Sequence, residues 1–134
     1  MVLQDLLGGQ LQMAIDNMPT ALPPIRSGRL LALGVTAAKP VGVLPGVPTI
    51  DSVIPGYEAV AFFALMAPAA TPQPIIARVS AEIDKILHRP EVIERLAQLG
   101  AEPVGGTPAE LASFIASETA KWREVVKTSG AKAE

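Results

Sequence analysis

Apolar residues along the chain fall in two patterns, helical spacing and continuous runs, and the change of pattern divides it into kinds of element. Val2, Leu3, Leu6 and Leu7 fall at helical spacing and stop at Gly8-Gly9, which predicts a helix ending at the glycines. So few turns before that stop make a poor isolated helix, so the chain is expected to begin inside an element. Gln12 to Asn17 predicts a short strand carrying Asp16 and Asn17 at its end. Pro19, Pro23 and Pro24 then lead to Gly28, the pattern of a helix with proline in its first turn and glycine as its stop. Leu30 to Thr36 is a continuous apolar run, expected of a parallel strand buried on both faces. Strand, helix and strand make a βαβ unit with a right-handed crossover.

From Ala37 to Tyr57 the pattern lapses into prolines and glycines. Structureless loops longer than ~12–15 residues are uncommon in compact domains, so this connection is expected to be functional or to join two lobes. Ala59 to Ala67 predicts another buried strand, stopped by Pro68. The rest reads as helix. Thr71-Pro72 opens a stripe of Ile75, Ile76, Val79, Ile83, Ile86 and Leu87 that runs to His88. Pro90 opens a shorter helix with Val92, Ile93, Leu96 and Leu99 inward and Gly100 as its stop. Glu102-Pro103-Val104 predicts a brief edge strand. Thr107-Pro108-Ala109-Glu110 is a capping box ahead of a helix with Leu111, Phe114, Ile115, Trp122, Val125 and Val126 on one face, ending near Gly130.

Composition narrows the functions available. Hydrophobic residues make up 49% of the 134, aromatics only 4%, so the expected core is aliphatic. The net charge is -2, with 11 basic and 13 acidic residues dispersed, so no nucleic-acid partner is expected: none of them forms the basic footprint that polyanions require. The absence of cysteine removes disulfides and thiolate chemistry. No apolar run reaches the ~20 residues of a membrane span, and residues 1–5 lack the basic and apolar regions of a signal peptide.

Catalytic chemistry finds little support. His88, followed by Arg89-Pro90 at a predicted helix end, lacks a nucleophile or carboxylate partner in the pattern, and a cation at a helix C-terminus is favourable in itself. Gly105-Gly106-Thr107 before a helix has the form of an anion site, but a turn and capping box account for the same residues. Glu82, Asp84, Glu91, Glu94, Glu110, Glu118 and Glu124 fall at mostly solvent-facing helical positions, with Glu91–Arg95 spaced as a surface ion pair. No enzyme, cofactor or metal cage is expected. Asp16-Asn17 stands apart, because the ends of parallel strands are where open α/β sheets collect ligands. Capping the following helix explains the pair equally well.

The residues also resemble a known family. Gly8-Gly9-Gln10-Leu11-Gln12-Met13, Asp16-Asn17-Met18-Pro19-Thr20-Ala21-Leu22-Pro23 and Gly28-Arg29-Leu30-Leu31-Ala32-Leu33-Gly34-Val35-Thr36 are similar to segments of the substrate-binding proteins of tripartite tricarboxylate transporters, the Bug family. Leu44-Pro45-Gly46-Val47-Pro48-Thr49, Ala67-Pro68-Ala69-Ala70-Thr71-Pro72 and Leu99 to Pro108 continue the likeness in order. The resemblance implies the C-terminal part of a two-lobed α/β periplasmic-binding-protein type II fold. Residues 1–55 would complete the second lobe and residues 56–134 the first. It implies a periplasmic location, a small carboxylate ligand, and membrane permease subunits as partners. Of the pocket it assigns Asp16 and Asn17, with Phe62 as a wall. Phe62 stands where members often carry tryptophan, Ala64 where they carry glycine, and Arg89 where an aspartate caps the helix. The alternative expectation is a truncated, self-associating fragment with neither ligand nor transport role.

Overall fold

A computed structural model describes residues 2–132. Five α-helices follow in order: α1 (Val2–Leu7), α2 (Met18–Arg26), α3 (Gln73–Leu87), α4 (Pro90–Gln98) and α5 (Pro108–Ser129), with a 3-10 turn at Ile50–Ser52. The chain separates into two compact units, one of Met1–Leu65 with Pro90–Pro103, the other of Met66–Arg89 with Val104–Glu134.

The first unit holds the aliphatic core. Leu22 of α2, only 2% exposed, packs with Val35 and Leu44, and Met18, Ile25, Ala32, Val41, Val43 and Val47 lean on that cluster. α2 keeps its length although Pro23 and Pro24 lie inside it. Each removes one helical N–H, so the carbonyls of Pro19 and Thr20 lack their donors four residues on, and the helix ends within a turn of the prolines. Gly28, at φ 72, takes the left-handed conformation past its end. α4 closes on the same unit: Arg26 Nη1 donates to the Gln98 carbonyl at 3.2 Å. Gly100, at φ 71, lies so near Met18 that a Cβ there would overlap its Cγ.

The expected strands do not form as ladders. Among the described residues the pairing is one isolated parallel bridge, Val35 to Thr49, in which the Val35 N–H donates to the Pro48 carbonyl and the Ile50 N–H to the Val35 carbonyl, each at 2.9 Å. Gln12–Asn17, the remainder of 30–36, Ala59–Ala67 and Glu102–Val104 carry no ladder. Ala59 N–H donates to the Thr36 carbonyl at 3.0 Å, and pairing goes no further along that run. A strand is held by bonds to its neighbours, so an apolar run without a neighbouring strand cannot complete one. Residues 37–57, expected to be irregular, are built from successive turns. Leu44 N–H donates to Val41 and Val47 N–H to Leu44, the Thr49 hydroxyl accepts the Ser52 N–H, and Asp51 Oδ1 accepts the Gly56 N–H at 2.7 Å.

The second unit is a helical pair, α3 in contact with α5. α3 begins two residues beyond Thr71: Pro72 occupies the cap position, with no side-chain cap, and its carbonyl accepts the N–H groups of Ile75 and Ile76. Pro74 fits the first turn, where no N–H is required. Only part of the α3 stripe is covered, since Ile76, Ile83 and Leu87 are half-buried while Ile75, Val79 and Ile86 are exposed. α5 repeats this, with Leu111 and Ile115 half-buried and Phe114, Trp122, Val125 and Val126 exposed. The capping box is present in full: the Thr107 hydroxyl accepts the Glu110 N–H, and Glu110 Oε2 accepts the Thr107 N–H at 2.7 Å. Gly130 closes α5 at φ 69.

Candidate functional site

Asp16 and Asn17 stand at the start of α2, where the chain turns from a non-helical segment into the first helical turn. Asp16 Oδ1 accepts the Asn17 N–H at 2.7 Å and lies 3.1 Å from the Thr20 hydroxyl. That hydroxyl is 2.7 Å from the Asn17 carbonyl, and its single proton serves one of the two acceptors at a time. Asn17 occupies the N-cap position with extended backbone, and its side chain makes no capping bond. Asp16 thus braces the turn, while the Asn17 amide is not used by it. Thr20 is the member that sequence reasoning missed. The four-residue spacing from Asp16, one helical turn, was the available signal. Both Asp16 and Asn17 are solvent-exposed, and Phe62, in the same unit, is 47% exposed.

Two surface hollows lie elsewhere. One, about 560 Å³, belongs to the first unit and is lined by Ile25, Arg29, Leu31, Leu44 and Val47 among others. The other, about 390 Å³, lies in the second unit beside Ser80, Asp84, Gly106 and Thr107. Asp16, Asn17 and Phe62 line neither.

The structure decides several minor sites. At Gly105-Gly106-Thr107 the donors of the α5 N-terminus face carboxylates of the chain itself. Asp84 Oδ1 lies 3.5 Å from the Gly106 N–H, and Glu110 takes Thr107. Two resident carboxylates oppose an added anion, so these residues cap rather than bind. The hydrogen bonds from Thr107 hold the Glu110 carboxyl below its ordinary pKa. His88 caps α3, its Nδ1–H donating to the Asp84 carbonyl at 2.7 Å. The expected Glu91–Arg95 pair gives way to a contact from Arg95 Nη1 to Gln98 Oε1 at 3.4 Å. Glu118, expected to face solvent, is drawn in: Trp122 Nε1 donates to it at 2.9 Å and Lys121 Nζ lies 3.3 Å away. Among the described residues no group of three His, Asp or Glu is placed to hold a metal, and no helix is long and apolar enough to cross a membrane.

Residues 1–131 match the model of the tripartite tricarboxylate transporter family receptor. This chain belongs to that family. Protein BugT of Bordetella pertussis is 40% identical to it over 129 residues, covering 96% of this chain and 40% of BugT. A UPF0065 protein from the tcbD-tcbE intergenic region of Pseudomonas sp. strain P51 is 38% identical, covering 91% of this chain and 37% of that protein. The chain therefore spans about two fifths of the length of these relatives.

Two solved structures share its fold. The R. palustris protein Rpa4515 with adipate superposes at a TM-score of 0.90 with 35% identity, over 96% of this chain and 43% of that one. The periplasmic binding protein BugD gives 0.89 with 30% identity, over 99% and 46%. The fold class is accordingly that of part of an α/β periplasmic binding protein, though the ladders are unformed. The backbone follows that fold even where its apolar runs are unpaired.

Proposed function

We propose that this chain is the C-terminal portion of a two-lobed extracytoplasmic solute-binding protein that captures a small carboxylate for a tripartite tricarboxylate transporter, hands it to membrane permease subunits, and catalyses no reaction. The observation that carries this reading is the 0.90 superposition on a relative described with adipate, at 35% identity across 96% of the chain. In it, residues 1–55 complete one lobe and residues 56–134 return to the other, and the lobes close on the ligand by a hinge motion in the periplasm.

The roles of the site residues follow from their chemistry. The Asn17 amide, not used in capping, donates to a ligand carboxylate. An ionised Asp16 only accepts, so it takes a ligand hydroxyl or a bridging water and keeps the Asn17–Thr20 turn in place. Phe62 supplies an apolar wall for the carbon chain.

Calorimetry with adipate tests this in a chimaera in which residues 2–131 replace the matching portion of the R. palustris protein. Binding is expected to survive the exchange and to weaken at least tenfold in both Asn17→Ala and Asp16→Ala. Unchanged affinity in these variants would remove the pair from the pocket. The chain alone is expected to show little or no binding, because the remaining pocket contacts lie in the rest of the receptor, and micromolar affinity for a dicarboxylate would overturn that expectation. A second reading, a self-associating fragment without ligand, takes its support from the exposed Leu31 and Phe63.

A further inference from the structure

We propose that Thr20 is a positioning residue for the ligand site: its hydroxyl holds the Asp16 carboxylate in one orientation, with Oδ1 bonded to the chain and Oδ2 left to the ligand. This deepens the ligand role proposed for Asp16 and rests on it.

Two acceptors compete for the hydroxyl proton. Thr20 Oγ1 lies 2.7 Å from the Asn17 carbonyl and 3.1 Å from Asp16 Oδ1, so distance alone favours the carbonyl. The needs of the two acceptors favour Asp16. The Asn17 carbonyl already accepts the N–H groups of Thr20 at 3.1 Å and Ala21 at 3.0 Å, and a carbonyl oxygen has two lone pairs to give. Asp16 Oδ1 accepts one backbone N–H, that of Asn17. A proton turned to the carbonyl would leave the Thr20 oxygen and Asp16 Oδ1 facing each other at 3.1 Å as two acceptors. Turned to Asp16, the same proton makes a charge-assisted bond, which is the stronger kind.

That bond matters because packing does not order this carboxylate. Asp16, Asn17 and Thr20 are all solvent-exposed, and exposed side chains change rotamer within nanoseconds. Held by the Asn17 N–H alone, Asp16 would be tied only to its immediate neighbour. The Thr20 hydroxyl, one helical turn on, ties it to α2. Among the described residues nothing donates to Oδ2, so the orientation presents one free acceptor beside the Asn17 amide. A side chain already ordered loses less freedom when ligand arrives, and that saving is the contribution of Thr20.

Thr20→Val tests this, since it exchanges the hydroxyl for a methyl group of similar size at an exposed position outside the Leu22 cluster. In the 134-residue chain, NMR couplings between the Asp16 α and β protons should report one rotamer in the unaltered protein and in Thr20→Ser, and averaged rotamers in Thr20→Val. Averaged couplings in the unaltered chain overturn the proposal whatever the ligand does. In the chimaera, Thr20→Val should weaken adipate binding about fivefold, the worth of one hydrogen bond, and Thr20→Ser should bind as the unaltered protein does. In an Asp16→Ala background Thr20→Val should cost nothing further, because no carboxylate remains to be positioned. A residue that only supported the helix would weaken binding equally in both backgrounds, so additive losses overturn the proposal. Unchanged affinity in Thr20→Val overturns it alone where Asp16→Ala still weakens binding. Unchanged affinity in Asp16→Ala overturns the ligand role of Asp16 and this proposal with it.

Discussion

The two compact units are stabilised in different ways. The first draws its one buried cluster from residues distant in sequence: Leu22 in a helix, Val35 in an interrupted strand and Leu44 in a turn. Among its described residues, the second has no side chain in the fully buried class. It rests on local devices, the Thr107–Glu110 box, the His88 contact at the end of α3, and the Glu118–Lys121–Trp122 cluster on one turn of α5. Where the apolar core is thin, capping and one-turn side-chain contacts account for a larger share of what keeps helices in place.

The contrast can be broken most severely in the first unit. Leu22→Ala removes a side chain that is 2% exposed and is expected to cost about 3 kcal/mol. Denaturant unfolding should show the loss, and amide exchange should place it in residues 18–50 while α5 stays unaffected. Equal loosening of α5 would mean that the units do not unfold separately.

Gly100→Ala comes next. It places a Cβ at positive φ against Met18, at a cost of roughly 2 kcal/mol from backbone strain and overpacking. A Met18→Ala background should recover part of this loss, which distinguishes the clash from the strain.

Thr107→Ala has a smaller expected effect, about 1 kcal/mol, read as fraying of the first turn of α5 by amide exchange. The smallest effect is a pH dependence. Thr107 holds the Glu110 carboxyl below its ordinary pKa, so the folded state binds this proton less readily than the unfolded chain does. Its contribution is fully present above the unfolded pKa and is lost as pH falls through the lowered folded value. Helicity at the α5 N-terminus should therefore decline in acid, and Glu110→Gln should flatten that decline. A wild-type profile identical to that of Glu110→Gln would remove Glu110 from the cap.

Much of this was legible in the residues. The ends of α1, α2 and α5 follow from Gly9, Gly28, Gly130 and the Thr107 box, whose signals lie within a few positions of the bonds they make. The start of α3 was misplaced because Thr71-Pro72 and Pro72–Pro74 offer competing first turns, and a cap is decided by which carbonyls the first free N–H groups reach. Of the candidate site, Asp16 and Asn17 were visible as a polar pair at the end of an apolar run. Thr20, one helical turn away, was not, since nothing in its residue type separates a brace from a surface hydroxyl.

Local sequence by itself determined the helices, their stops, the aliphatic character of the core and the family. Each of these is a property of neighbouring residues or of an ordered set of motifs. Tertiary structure alone decided that the apolar runs at 30–36 and 59–67 carry no ladder, and that three of the six stripe residues of α3 and four of the six of α5 face water. An apolar pattern states that a surface is to be covered, but hydrogen-bond partners and buried area come from whatever packs beside it.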